Sequence, residues 1–252
     1  MATLKLIRHA TLQLEYGGRR LLVDPVLSAK GALDPAAQSG NDRRNPLVDL
    51  PVPVATLLDY EECLVTHAHR DHLDPAALEQ LPKDKPILCQ PADLSRLQSA
   101  RFQDVVPVEA KVQRGEIEVA RTPGEHGKGE MIQKMGVSSG FVLRHPAEPS
   151  LYLAGDTVWC KAMQANLRTH RPEAIVLNAG AATFTQGGPV TMTVDDVIAV
   201  ARDASLARIV VVHLEAWNHC GLSRAELRER LDEEGLGERV TVPDDGQDVD
   251  LS

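Results

Sequence analysis

The stretch Thr66-His67-Ala68-His69-Arg70-Asp71-His72 decides how the rest of the chain is read. It sets three histidines and one aspartate within six residues. Cys63-Leu64-Val65-Thr66 just before it reads as a short buried strand, and Asp74-Pro75 just after it as the start of a helix. A loop between a strand end and a helix can aim several side chains at one point. Imidazole and carboxylate are ligands of choice for a borderline divalent cation such as zinc. The competing reading is a solvated polar loop, but nine histidines in 252 residues make so dense a cluster a rare accident. The stretch is therefore read as half of a metal site.

The composition narrows what such a site can serve. The length of 252 residues suits one large α/β domain or two small ones, and the chain is taken as a single domain, 1–252. Hydrophobic residues make up 43% and aromatic ones only 3%, so the core must be built from Leu, Val, Ile and Ala. A net charge of -9 argues against a nucleic-acid or anionic-membrane face. An anionic small-molecule substrate must then be met by metal or by a few arginines. Cys63, Cys89, Cys160 and Cys220 are far apart with no CxxC pair, which predicts free thiols and a cytoplasmic setting. Met1 to Leu6 is too short an apolar stretch for a secretory leader, and no run is long enough to span a bilayer.

Local signals lay out the elements. Thr3–Arg8 and Thr11–Tyr16 read as strands, Gly17-Gly18 as a hairpin turn, and Arg19–Val23 as the returning strand. Residues 26–53 form a long loop that contains Arg43, Arg44 and Asn45. Alternation follows: a helix near 75–81, a strand 86–89, a helix 92–99 and a strand 104–108. Strands over 116–121 and 136–144 flank a glycine-rich loop, 123–130. A strand at 151–154 runs into Gly155-Asp156-Thr157, and a helix over 158–169 precedes a strand at 174–177. Thr193 caps a helix with Asp196 three residues later, and Arg208–Val212 is a strand that ends at His213. Ser223 caps a last helix closed by Gly235, before a strand at 239–242. Hairpins first and strand–helix alternation later suit packed sheets with helices outside. No GxGxxG or GxxxxGK[ST] points to a nucleotide fold.

Asp24, His126, Asp156 and His213 each end a predicted buried strand or lie in the loop after one. Strand ends on one edge of a sheet converge, so these four can join the 66–72 loop. Singly, each histidine is as readily a surface or core residue; together with the motif they extend the site.

These residues carry a family resemblance. HxHxDH, His126 within Pro123-Gly124-Glu125-His126-Gly127, Gly155-Asp156-Thr157 and the strand-terminal His213 resemble the metallo-β-lactamase superfamily over almost the whole chain. The resemblance implies an α/β, αββα sandwich: two mixed β-sheets between helical layers, with a metal pair at one edge. It implies that His67, His69 and His126 bind one ion, that Asp71, His72 and His213 bind the other, and that Asp156 bridges them. True β-lactamases usually have cysteine where Asp156 stands, so antibiotic hydrolysis is not implied. Arg8-His9-Ala10-Thr11, Leu21-Leu22-Val23-Asp24-Pro25 and Pro243-Asp244-Asp245-Gly246 further resemble the branch holding ascorbate-6-phosphate lactonase and the N-acyl-phosphatidylethanolamine phospholipase D-like enzymes.

The implied activity is dinuclear hydrolysis of a small, anionic ester or lactone. Two divalent ions roughly 3.5–4 Å apart would share an attacking hydroxide and hold the substrate oxygen as Lewis acids. Zn2+ is favoured by the histidine ligands, with Mn2+ open. A phosphodiesterase of the same fold and a metal-holding regulatory protein without turnover are the rivals. Asp71, Asp156 and His219 are the expected catalytic groups, His219 as proton donor to the leaving group or, alternatively, as a loop histidine beside Trp217. Asp24 is expected either to hold a ligand imidazole in its tautomer or only to cap the turn before Pro25. His9 and Glu215 are expected to line the pocket. Arg43 and Arg44 are expected either to stay solvated or to fold over the metal edge and grip an anionic group.

Overall fold

The computed structural model describes residues 1–252. The strands are β1 (Thr3–Arg8), β2 (Thr11–Tyr16), β3 (Arg19–Val23), β4 (Glu62–Val65), β5 (Ile87–Cys89), β6 (Val105–Pro107), β7 (Lys111–Arg114), β8 (Ile117–Pro123), β9 (Ser139–His145), β10 (Glu148–Leu153), β11 (Ala174–Asn178), β12 (Arg208–Val212), β13 (Val240–Thr241) and β14 (Asp248–Asp250). They form two seven-stranded sheets, ordered β14-β1-β2-β3-β4-β5-β6 and β13-β12-β11-β10-β9-β8-β7. Each sheet has an antiparallel half and a parallel half. From β3 to β6, and from β10 to β13, neighbours run parallel; the remaining pairs are antiparallel.

Side-chain alternation builds the layers. Leu4, Leu6, Leu12, Leu14 and Leu64 of the first sheet meet Phe141, Leu143, Leu151, Val176 and Val210 of the second in one buried cluster. The intervening residues point outward. Cys63, Val65, Ile87 and Cys89 pack under α1 (Val54–Leu57), α2 (Pro75–Gln80) and α3 (Leu94–Ser99). Tyr152, Ile175, Leu177, Ile209 and Val211 pack under α5 (Lys161–His170), α6 (Val194–Asp203) and α7 (Arg224–Glu233); α4 (Glu130–Met135) lies between β8 and β9. Strands buried on both faces read as continuous apolar runs, as Ile209-Val210-Val211-Val212 does. The result is the expected αββα sandwich.

The turn and cap readings match the structure closely. Gly17 and Gly18 adopt φ of 59° and 71°, the left-handed pair that a two-residue hairpin needs. A Cβ on Gly17 would also lie 2.8 Å from the His145 ring. Thr193 and Asp196 form a reciprocal capping box, and Ser223 accepts from the Glu226 N–H. Four elements escape the sequence reading. β7 is a half-exposed edge strand with no apolar period, while β14 is three residues held by pairing to β1. α1 is a single turn, and α4 sits between positive-φ glycines, Gly129 and Gly136, where composition suggests loop and strand.

Topology sets the edge on which the site forms. β1, β3 and β4 run in one direction in their sheet, as do β8, β10, β11 and β12 in theirs, so their C-terminal ends gather at common edges. Those ends lead into His9, Asp24, Thr66, His126, Asp156, Asn178 and His213. The long 26–53 loop folds back over this edge and is tied down. Arg8 donates to the carbonyls of Val26, Ser28 and Val48, and Asp74 accepts the N–H groups of Leu27 and Ser28. Asn218 is bonded to Ala36, Ser39, Asn41 and Asn45. No helix is long and apolar enough to cross a membrane.

Candidate metal centre

The 66–72 turn is shaped by its own backbone. The N–H groups of His72 and Leu73 both bond to the His69 carbonyl, at 3.0 and 2.8 Å. Asp74 then caps α2 by accepting the Ala77 N–H at 2.8 Å. This compact turn sends His67 and His69 to one side and Asp71 and His72 to the other. His67 Nε2 lies 3.0 Å from His69 Nδ1.

Seven side chains form two adjoining groups. The ring nitrogens of His67, His69 and His126 lie within 4.8 Å of one another, and so do the ligand atoms of Asp71, His72, Asp156 and His213. Asp156 faces both groups. Its Oδ2 is 3.4 Å from His126 Nε2 and 3.9 Å from His67 Nε2; its Oδ1 is 3.3 Å from His72 Nε2 and 3.6 Å from His213 Nε2. Asn178, at the end of β11 between β10 and β12, donates to that Oδ1 at 2.8 Å. Asp71 Oδ2 is 3.5 Å from His213 Nε2 and 4.0 Å from His72 Nε2.

Two observations fit this arrangement to a divalent cation. The Nε2 atoms of His72 and His213 are fully buried and have no hydrogen-bond partner, a costly state unless something else takes their lone pairs. The carboxylates also call for positive charge. Burial works against a charged His72, yet Asp156, Asp24 and Asp71 outweigh it and push its pKa up to about 10. Buried carboxylates and free imidazole nitrogens are the donor set of a divalent metal.

Neighbouring groups hold the imidazoles in place. Asp24 Oδ2 is 2.8 Å from His72 Nδ1, which leaves His72 Nε2 toward Asp156. The Asp24 carboxylate also takes the Thr66 N–H at 2.7 Å and hydroxyl at 2.6 Å. His126 Nδ1 donates to the Val190 carbonyl at 2.7 Å, freeing its Nε2. His213 Nδ1 lies 3.7 Å from the Cys220 sulfur. His9, Asp24 and His213 all hold left-handed backbone, with φ of 61°, 43° and 71°. Such conformations cost about 1–3 kcal/mol each for non-glycine residues and tend to collect at functional sites.

A cavity of about 390 Å3 opens onto the centre. His69, Arg70, Asp71, His126 and His219 line its inner side; Pro35, Ala36, Met135, Phe184 and Trp217 supply apolar walls. His219 packs near Phe184, and burial pulls its pKa down to about 4, so its ring is neutral at neutral pH.

The predicted pocket residues are placed differently. His9 does not line the cavity. It is fully buried, with Nε2 3.5 Å from Asp71 Oδ2 and its ring 3.7 Å from that of His213, because it follows a core strand and lies beside Trp217. Glu215 turns away to Arg224, accepting its N–H at 2.8 Å and pairing with its guanidinium at 2.7 Å. Arg44 reaches back into its own loop, bonding the carbonyls of Gly31 and Ala32 and pairing with Asp34. Arg43 is exposed and, like Arg44, lines no part of the cavity. The loop therefore covers the edge as expected, but without presenting its arginines. Arg70, Asn178 and Cys220 were not singled out by sequence reading. Only Asn178 carried a usable signal, as a polar residue ending a buried strand.

The wider comparisons agree with this architecture. Residues 19–214 match the family model described as a beta-lactamase superfamily domain. The UPF0173 protein YddR of Bacillus subtilis is 38% identical over 245 residues, covering 96% of each chain. The UPF0173 metal-dependent hydrolase PH1671 of Pyrococcus horikoshii is 25% identical over 86% of each. The crystal structure of an isothiocyanate hydrolase from Delia radicum gut bacteria superposes with a TM-score of 0.95 at 37% identity, covering 98% of both chains. The matched family model, together with full-length likeness to YddR, shows that this chain belongs to the metallo-β-lactamase superfamily and to its UPF0173 family of metal-dependent hydrolases.

Proposed function

We propose that the chain is a dinuclear hydrolase acting on an electrophilic carbon of a small molecule. The observation that carries the reading is Asp156, whose two oxygens face two separate groups of ligand atoms. His67, His69 and His126 would hold one divalent ion and Asp71, His72 and His213 the other, with Asp156 shared. Zn2+ suits the histidine ligands, and Mn2+ is the alternative. A bound pair would supply Lewis acidity and a water acidic enough to be a nucleophile at neutral pH.

The residues around the pair have separate tasks in this reading. Asp24 and the Val190 carbonyl orient imidazoles, and Asn178 holds the Asp156 carboxylate. The apolar walls seat the substrate body and exclude water around the reacting carbon. Neutral His219 is the candidate hydrogen-bond donor to the leaving group.

The full-length likeness to an isothiocyanate hydrolase, with the apolar cavity, makes an isothiocyanate the leading substrate class. Water adds across the C=N bond of R–N=C=S, and the resulting thiocarbamic acid breaks its C–N bond to release the amine R–NH2 and carbonyl sulfide. An ester or lactone is the second reading, favoured by motifs resembling the ascorbate-6-phosphate lactonase and phospholipase D-like branch. The test is to load purified protein with Zn2+ or Mn2+ and assay phenyl isothiocyanate, a lactone, a thioester and bis-p-nitrophenyl phosphate. Metal-dependent aniline release is expected. Turnover of the phosphodiester alone would move the protein to the phosphodiesterase reading, and no turnover of any substrate would favour a metal-holding protein without catalysis.

A further inference from the structure

Arg70 is the only lysine or arginine lining the cavity, and it makes no hydrogen bond or ion pair within the chain. Its neighbours His69 and Asp71 both belong to the ligand groups, so the turn sets the Arg70 backbone beside the centre, while its side chain is exposed. The cavity wall carries one other carboxylate outside those groups, Asp34, and that carboxylate is paired with Arg44. The loop thus neutralises its own acid and leaves Arg70 unpaired. In a chain of net charge -9, an unpaired cation on a mostly apolar wall is an exception to the surrounding field.

We infer that Arg70 forms a carboxylate-recognition subsite, so that the preferred substrates carry an apolar body between the reacting carbon and a single carboxylate. The inference rests on the hydrolase reading of the cavity and deepens it. A guanidinium pairs two oxygens of one planar group at once and stays charged at any working pH. One such fork suits a monoanion. A phosphate dianion would call for further donors, and away from the metal ligands the cavity lining offers no second cationic side chain. The apolar side chains of Pro35, Met135, Phe184 and Trp217 supply the surface for the body between the two ends.

The decisive measurement does not need turnover. Calorimetric titration of the metal-loaded protein with 4-aminobenzoate and with aniline compares two ligands that differ only in the carboxylate. The wild type should bind 4-aminobenzoate roughly fivefold or more tighter than aniline, the scale of a partly exposed charged pair. Arg70→Gln should erase that preference while leaving aniline binding unchanged, and Arg70→Lys should keep part of it. Equal binding of the two ligands by the wild type, or a preference that survives Arg70→Gln because the carboxylate sits on the metals, would overturn the subsite. In parallel, kcat/KM for 4-carboxyphenyl and phenyl isothiocyanate should show the same preference in the wild type and lose it in Arg70→Gln. Failure of both substrates to react would count against the isothiocyanate reading, while the titration would still decide the subsite.

Discussion

The Asp24 carboxylate and the His72 imidazole are joined across 48 residues, with Oδ2 2.8 Å from Nδ1. The same carboxylate holds the Thr66 N–H and hydroxyl, so one acid at the end of β3 sets both the start of the ligand turn and the tautomer of its last histidine. Asp24→Asn separates this role from turn capping. Asparagine tolerates the left-handed backbone at position 24 and caps turns equally well, but it lacks the charge that supports His72. Metal affinity or activity should fall about 10–100-fold. Competition against a chromophoric chelator measures it, and an unchanged affinity with unchanged turnover would reduce Asp24 to a cap.

Asp156 should govern metal stoichiometry. Elemental analysis of wild-type protein reconstituted with excess Zn2+ should give two ions per chain. Asp156→Asn removes a negative charge from between the two groups, so one ion should be lost or weakly held and hydrolysis should cease. The circular dichroism spectrum should be retained, because the αββα core does not depend on this side chain. A wild-type protein that holds no more than one ion would contradict the dinuclear arrangement.

His9 is a positioning residue in this reading, placed behind Asp71 and away from the cavity. Its Nε2 contacts Asp71, its ring lies tilted against that of His213, and its carbonyl accepts the His213 N–H at 2.9 Å. His9→Gln should lower kcat by about 10-fold or more, as losses behind metal ligands commonly do, and leave KM nearly unchanged. A variant whose KM rises while kcat holds would return His9 to the substrate pocket.

The four thiols should resist modification, which would matter if the substrate is the electrophile proposed above. Burial pushes Cys89 up to about 12 and raises Cys63 and Cys220 well above the ordinary thiol value; Cys160, half-buried at the start of α5, is raised as well. The thiolate is the reactive form, so a raised pKa means less of it at any given pH. Alkylation of native protein at pH 8 should label at most Cys160, and all four should label after unfolding. Mass spectrometry of the labelled peptides gives the count, and rapid native labelling of Cys63 or Cys220 would show that these sites open in solution.

Much of the fold was legible in the sequence because its signals are local. The apolar run Ile209-Val210-Val211-Val212, the Gly17-Gly18 turn and the Thr193 capping box each act within a few residues, and each reappears in the structure. The His67 to His72 spacing, with His126, Asp156 and His213 at strand ends, likewise marked the seven side chains of the two ligand groups, and Asp24 behind them, but not Asn178 or Cys220, which also reach this edge. What the sequence could not decide is which partner each polar group takes. Glu215 is taken by Arg224, Arg44 by Asp34 and two carbonyls of its own loop, and His9 is buried behind Asp71, leaving Arg70 on the cavity wall. Those allocations follow from how the 26–53 loop packs against the turn after β12 through Asn218, contacts that span 173 to 182 residues. No periodicity or spacing encodes such partners, because a side chain pairs with whatever the tertiary fold brings within about 3 Å of it.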